Sequence, residues 1–253
     1  MLNGKKIALG VTGGIAVYKA VDLVSRLRKQ GAEVRVIMTE HAQQFVTPLT
    51  FKEISGNKVA VSMWDSNQEF NVEHIALANW ADAFVVAPAT ANILAKMANG
   101  IADDLLSTTL LAAQAPIIVC PAMNTGMYQN SITQENIEKL QKHGVTVMPP
   151  AVGYLACGVT GPGRLPEPQQ IVEFIDAFFA KKDGDMVGLK VLVTAAGTRE
   201  PIDPVRFVGN RSSGKMGYAI AQAAAQRGAE VLLVTGPSAL EIPPNVNGVK
   251  VES

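Results

Sequence analysis

Long apolar runs are missing from this 253-residue chain. No stretch approaches the roughly 20 residues of a membrane span. The opening Met1-Leu2-Asn3-Gly4-Lys5-Lys6 leads into an apolar segment too short for a signal peptide. Net charge is missing as well. The 22 Lys and Arg balance the 22 Asp and Glu, so no field favours nucleic acid or an acidic membrane surface. With only Cys120 and Cys157, there is neither a disulfide framework nor a metal site, and no metal is expected. These absences point to a cytoplasmic, reduced setting without membrane or nucleic-acid partners. Aromatics make up 6% of the chain while 48% of it is hydrophobic. Much of that apolar content is Ala and Val, which with abundant Gly fits close-packed α/β proteins. The length is long for one domain and short for two.

What is present is organised around Pro116-Ile117-Ile118-Val119-Cys120-Pro121-Ala122-Met123-Asn124-Thr125-Gly126-Met127-Tyr128. Apolar, mostly β-branched residues between two prolines read as a central parallel strand, and Ala122 to Tyr128 as the loop that follows. Ligands of open α/β sheets gather beyond the carboxyl ends of the strands, where that loop falls. An uncharged Asn124 between two methionines can donate to a carboxylate while Met123 and Met127 pack on something flat and apolar. The plainer alternative is a turn asparagine with methionines as core filler.

Upstream, Ile7 to Val11 is a strand, Thr12-Gly13-Gly14 a turn, and Ile15 to Gln30 carries helical spacing. Strand, glycine turn and helix aim backbone N–H groups and a helix dipole at a phosphate. The same glycines also serve close packing of helix on strand. The spacing Gly10-x-x-Gly13-Gly14 is not the dinucleotide fingerprint. A second strand, Glu33 to Met38, closes in Thr39-Glu40: Glu40 suits a ribose, Thr39 a phosphate or a ribityl hydroxyl. A short helix is expected over residues 48–55. His74 falls in the first turn of another, at the positive end of its dipole, where a structural role competes with a chemical one. Residues 83–87 form a buried strand, and Pro88-Ala89-Thr90-Ala91-Asn92 opens a helix with hydroxyl and amide at the same sheet edge. Residues 149–168 read as a long, glycine- and proline-rich loop of the kind used as a lid. It contains Cys157, whose bare thiol is a liability there unless used; Cys120 reads as a buried hydrophobe.

After a helix over residues 169–180 comes a polar linker, and then a new start. Gly228-Ala229-Glu230-Val231 repeats Gly31-Ala32-Glu33-Val34 residue for residue. The expected architecture is a doubly wound, mostly parallel, Rossmann-like α/β sheet over residues 1–181. A linker at 182–189 then leads to the first βαβ unit of a second Rossmann-like domain over 190–253. One such unit and a tail bury little, so the chain looks truncated and residues from about 190 are expected to order poorly alone.

These motifs together resemble the bacterial bifunctional coenzyme A biosynthesis proteins, which join a phosphopantothenoylcysteine decarboxylase to a phosphopantothenate–cysteine ligase. The decarboxylase part of the resemblance, about Lys5 to Ala180, rests on Gly13 to Lys19, His74, Ala87 to Asn92, Pro121-Ala122-Met123-Asn124-x-x-Met127 and Ala156-Cys157-Gly158. Tyr128 stands where the family often has Trp. The ligase part rests on Ala195 to Arg206 and Asn210 to Gly217.

The resemblance implies flavin mononucleotide (FMN), with Gly13, Gly14, Ile15, Thr39, Thr90 and Asn92 at its phosphate and ribityl chain and Ala122 and Met123 near its ring. It implies a homotrimer or higher homo-oligomer that shares the site. The implied substrate is 4′-phosphopantothenoylcysteine. A simple amino-acid-derived carboxylate loses CO₂ poorly because the carbanion has no electron sink. The family's solution is oxidation of the cysteinyl thiol to a thioaldehyde, loss of CO₂ to give an enethiol, and reduction of that enethiol. In this scheme Asn124 holds the carboxylate, His74 is base or positioning partner, and Cys157 supplies the last proton. The ligase part implies CTP and magnesium (Mg2+), with Asn210 at the acyl intermediate, and the expectation is no ligase activity in this chain alone. The rival readings are a flavin prenyltransferase, a peptidyl-cysteine decarboxylase, or a non-catalytic regulatory binding protein, whose mark would be loss of His74 or Asn124.

Overall fold

The computed structural model describes residues 2–64, 73–154, 158 and 160–253. By its contacts the chain divides into two compact units, Leu2–Phe174 and Ile175–Ser253.

The first unit is built on alternating strands and helices. In chain order these are β1 (Lys6–Val11), α1 (Val17–Lys29), β2 (Glu33–Met38), α2 (Pro48–Ser55), α3 (Glu73–Trp80), β3 (Ala83–Ala89), α4 (Ala91–Asn99) and α5 (Leu105–Ala112). There follow β4 (Ile117–Pro121), α6 (Thr125–Gln129), α7 (Ser131–Lys142), β5 (Thr146–Val147), β6 (Ala151–Tyr154), β7 (Thr160–Arg164) and α8 (Pro168–Asp183). A single turn of 3-10 helix occupies Glu40–Gln44. The main sheet has the order β2-β1-β3-β4-β5 and every pairing in it is parallel. Such sheets need cover on both faces, and β3 is accordingly buried along its whole length. Phe84 and Val86 point to one face, where Ile93, Leu94, Leu106 and Leu140 meet them. Helix α1 packs against β2 and β3, burying Val17, Ala20, Leu23, Val24 and Leu27 at helical spacing. Because β2 lies on one side of β1 and β3 on the other, connections diverge beyond the carboxyl ends of β1 and β3. That divergence opens a crevice, the usual ligand position of this sheet type.

The structure corrects the expected loop over residues 149–168. Within residues 149–168 the chain is a β-hairpin, β6 paired antiparallel with β7; its glycines and prolines disguise the strands as loop. The stretch after β4 is likewise not all loop, since Asn124 starts the five-residue helix α6. Cys157 lies outside the described residues.

The second unit contains the last turns of α8, then β8 (Lys190–Ala195), β9 (Arg199–Pro201), β10 (Phe207–Gly209), α9 (Lys215–Gln226), β11 (Glu230–Thr235) and β12 (Val246–Lys250). Its parallel sheet runs β12-β11-β8. The expected tail is therefore a third strand. Val193, Tyr218, Ala221, Val231 and Leu233 make a core of its own. The repeated Gly-Ala-Glu-Val segments occupy equivalent places: Glu33 opens β2 and Glu230 opens β11, each after a helix.

Candidate functional site

The floor of the crevice is fixed by a threonine that the sequence does not flag. Thr12, just past β1, is buried; its hydroxyl donates to the Pro88 carbonyl at 2.7 Å and accepts the Thr90 N–H at 3.1 Å. The turns after β1 and β3 are thereby tied together. Thr90 in turn caps α4, accepting from the Ile93 N–H at 3.4 Å. Thr39 caps the 3-10 turn in the same way, accepting from Ala42 N at 3.3 Å. Gly13 is forced by close approach: a Cβ there would lie 2.5 Å from Cβ and 2.8 Å from the carbonyl carbon of His41.

The segment after β4 is set by backbone bonds on two sides. Ala122 N–H donates to Ala89 O and Met123 N–H to Gly163 O, both at 2.9 Å. Gly163 has φ +131°, and a side chain on it would collide with the Met123 carbonyl, so β7 can lie this close only as glycine. Asn124 Oδ1 accepts the Gly126 N–H at 2.8 Å. That bond turns the amide oxygen toward α6.

These segments enclose a cleft of about 1160 Å³. Gly13, Gly14, Ile15, Thr39, Thr90, Asn92, Ala122, Met123 and Asn124 all line it. Its rim exposes apolar side chains, with Ile15 63%, Tyr18 60% and Met127 50% exposed. His74 is half-buried on α3, which packs on α5, and does not line this cleft. Asn210 belongs to the second unit.

Two ion clusters in the wall escape sequence reading. Lys96 Nζ sits 2.6 Å from Asp103 and 2.8 Å from Asp104. Burial pushes the Lys96 ammonium down, but the two carboxylates outweigh it and hold it above its ordinary value. Burial likewise pushes Asp104 up, and hydrogen bonds from Lys96 and Ser107 overcome that, leaving it below the usual carboxylate range. Across the sequence, Lys19 Nζ is 3.0 Å from Glu167 Oε1, which also takes Arg164 Nη2 at 2.7 Å. The Lys19 hydrogen bond holds the Glu167 carboxyl low against the opposing effect of burial. The acidic Asp103-Asp104 pair before a capping Asp-x-x-Ser pattern was the available signal for the first cluster. The second joins residues 148 apart and leaves no local trace.

Residues 1–180 match the family model described as Flavoprotein. The chain belongs to the flavoprotein family. Residues 186–253 match the DNA/pantothenate metabolism flavoprotein C-terminal domain. The flavoprotein is 52% identical over 252 residues to the coenzyme A biosynthesis bifunctional protein CoaBC of Haemophilus influenzae, covering 100% of this chain and 63% of that protein. It is 51% identical over 250 residues to the Escherichia coli protein of the same name, covering 99% of this chain and 61% of that one. The chain thus spans less than two thirds of the length of these curated relatives. Among solved structures, a PPC decarboxylase mutant complexed with pantothenoylaminoethenethiol is 32% identical at a TM-score of 0.62, covering 70% of this chain and 99% of that one. An FMN-dependent cysteine decarboxylase, SpaF, is 31% identical at a TM-score of 0.59, covering 68% and 96% respectively. A flavin suits the cleft on its own terms, since a narrow glycine turn, two threonine-capped turns and an apolar rim meet in one space. No helix among the described residues is long and apolar enough to cross a membrane.

Proposed function

We propose that this flavoprotein decarboxylates 4′-phosphopantothenoylcysteine to 4′-phosphopantetheine with FMN as its cofactor. The observation that carries the reading is that one cleft gathers segments far apart in sequence. Gly13-Gly14-Ile15, Thr39, Thr90 with Asn92, and Ala122 to Asn124 share its wall. Two of the similar solved proteins are a PPC decarboxylase and an FMN-dependent cysteine decarboxylase, which supports the same chemistry.

Gly13, Gly14, Ile15, Thr39, Thr90 and Asn92 would hold the phosphate and ribityl chain of FMN, with Ala122 and Met123 beside its ring. A bound flavin would supply a two-electron acceptor for oxidation of the substrate thiol and, once reduced, the two electrons that convert the enethiol to the product thiol. The chain's residues do the rest. The Asn124 NH₂ donates to the substrate carboxylate, holding it out of water while CO₂ departs. The reading gives Cys157 the final proton. His74 serves as base or positioning partner, and because it does not line its own chain's cleft, a neighbouring copy in a homotrimer or higher homo-oligomer would deliver it. The exposed Ile15, Tyr18 and Met127 are what that copy would cover. We read residues 1–181 as the decarboxylase domain and 190–253 as the opening of a ligase domain, with Asn210 at its acyl intermediate and CTP and magnesium as its co-reactants. The boundary falls in the last turn of α8.

The test is direct. Purified protein reconstituted with FMN should turn yellow, and 4′-phosphopantothenoylcysteine should give one CO₂ per 4′-phosphopantetheine. A protein that stays colourless, or that takes up flavin but leaves this substrate intact, rules the reading out. If a cysteine-ended peptide is decarboxylated instead, the peptidyl-cysteine alternative replaces it.

A further inference from the structure

Lys19 stands where a cation is disfavoured. It is the third residue of α1, at the positive end of the helix dipole, and its side chain is only 7% exposed. An ammonium persists in such a place only when its N–H groups are well matched. Two of the three are spent on one segment: Nζ donates to Leu165 O and to Glu167 Oε1, each at 3.0 Å. The same Oε1 accepts Arg164 Nη2 at 2.7 Å, so two cations share one carboxylate oxygen. Leu165 and Glu167 form the root of the β6–β7 hairpin, where the chain leaves β7 for α8. On its other side β7 is held by the Met123 N–H on Gly163 O at 2.9 Å.

We infer that Lys19, through Glu167, is a positioning residue for the decarboxylase: it pins the root of the β6–β7 hairpin to α1 and so sets β7 against Met123 and Asn124. The inference rests on the function proposed above. Its consequence is specific, because in sequence Cys157 lies between the two pinned strands. A loosened root delays the last proton more than it delays CO₂ loss. Lys19 also lines the cleft, but two of its three N–H groups are committed to the chain's own carbonyl and carboxylate, and the inference assigns it to the hairpin rather than to the flavin.

The experiment uses the full chain with FMN bound and compares wild type with Lys19→Met, Glu167→Gln, Lys19→Arg and the double variant Lys19→Met/Glu167→Gln. Glu167 is about half exposed, so its variant keeps the fold even where Lys19→Met does not. Both single charge-removing variants should release about tenfold more oxidised enethiol, two hydrogens short of the thiol, as read by mass spectrometry. The double variant should be no worse than the worse single one, because the pair acts as a unit. Lys19→Arg should restore most of the normal product. Affinity for FMN should change by less than about threefold. Normal thiol product from both single variants overturns the inference. So does a loss of FMN affinity in Lys19→Met that spares riboflavin, which would make Lys19 a phosphate ligand. If wild type itself releases no CO₂, the proposed function fails, and the pin is judged by hydrogen exchange alone. Faster exchange over residues 160–164 in both variants then supports it, and unchanged exchange sinks it.

Discussion

The Asn124 carboxamide caps α6 with its oxygen, accepting the Gly126 N–H at 2.8 Å, and the proposed function draws on its NH₂ end. The sequence reading set a turn asparagine against a carboxylate donor, but the two roles are compatible because they use different ends of one amide. This makes Asn124→Asp a clean probe. Aspartate caps a helix about as well as asparagine, so thermal stability and flavin content should hold. The substrate carboxylate would now face a like charge in a partly dry site, at a cost of several kcal/mol. Turnover should fall about 100-fold or more, measured as CO₂ release at saturating substrate. Retained turnover would remove Asn124 from the chemistry. By contrast Thr12, which ties the two turns of the floor together, was not legible. A threonine after a strand looks like any other until its hydroxyl is seen between Pro88 and Thr90.

At the level of elements, α4 and α5 are clipped by Lys96 against Asp103 and Asp104, while Asp104 also caps α5 with a reciprocal bond to Ser107. The folded Asp104 carboxyl titrates below its ordinary value. Its charge therefore contributes stability in full above the unfolded carboxylate pKa, and loses it as pH falls through the lowered folded value. Asp104→Asn keeps a good cap and deletes only the charge. Wild type should have the higher urea midpoint at neutral pH, and the two proteins should converge below about pH 3. A gap independent of pH would mean that packing, not charge, holds this corner. Helices of this kind were readable from sequence: Pro48 at the first position and Gly56 in the left-handed cap mark the ends of α2. The β6–β7 hairpin was not, because Gly153, Gly161, Pro162 and Gly163 carry turn chemistry while antiparallel pairing decides their state.

Across the whole molecule, the two units carry separate cores. Every residue that lines the cleft lies in the first. In the second, Leu233 is fully buried among Val193, Tyr218 and Val231. Leu233→Ala should cost about 2–5 kcal/mol of that unit's stability, visible as faster hydrogen exchange in β8 and β11. Flavin uptake, followed by absorbance, should be unchanged. Loss of flavin from this variant would show that the cleft depends on the second core. The doubly wound order of the main sheet and the edge at which its candidate residues collect followed from strand–turn–helix spacing. The distance of His74 from the cleft did not, since periodicity places a residue on a helix without saying which cavity the helix faces.

Cys120 has a consequence for anyone handling the protein. It is fully buried in β4, and burial pushes its thiol up to about 12. At neutral pH the thiolate that alkylating reagents attack is therefore scarce. The chain has only two cysteines, and of these Cys120 should resist maleimide or iodoacetamide while the protein is folded. The equivalent of label that Cys120 takes up only on denaturation then counts folded molecules.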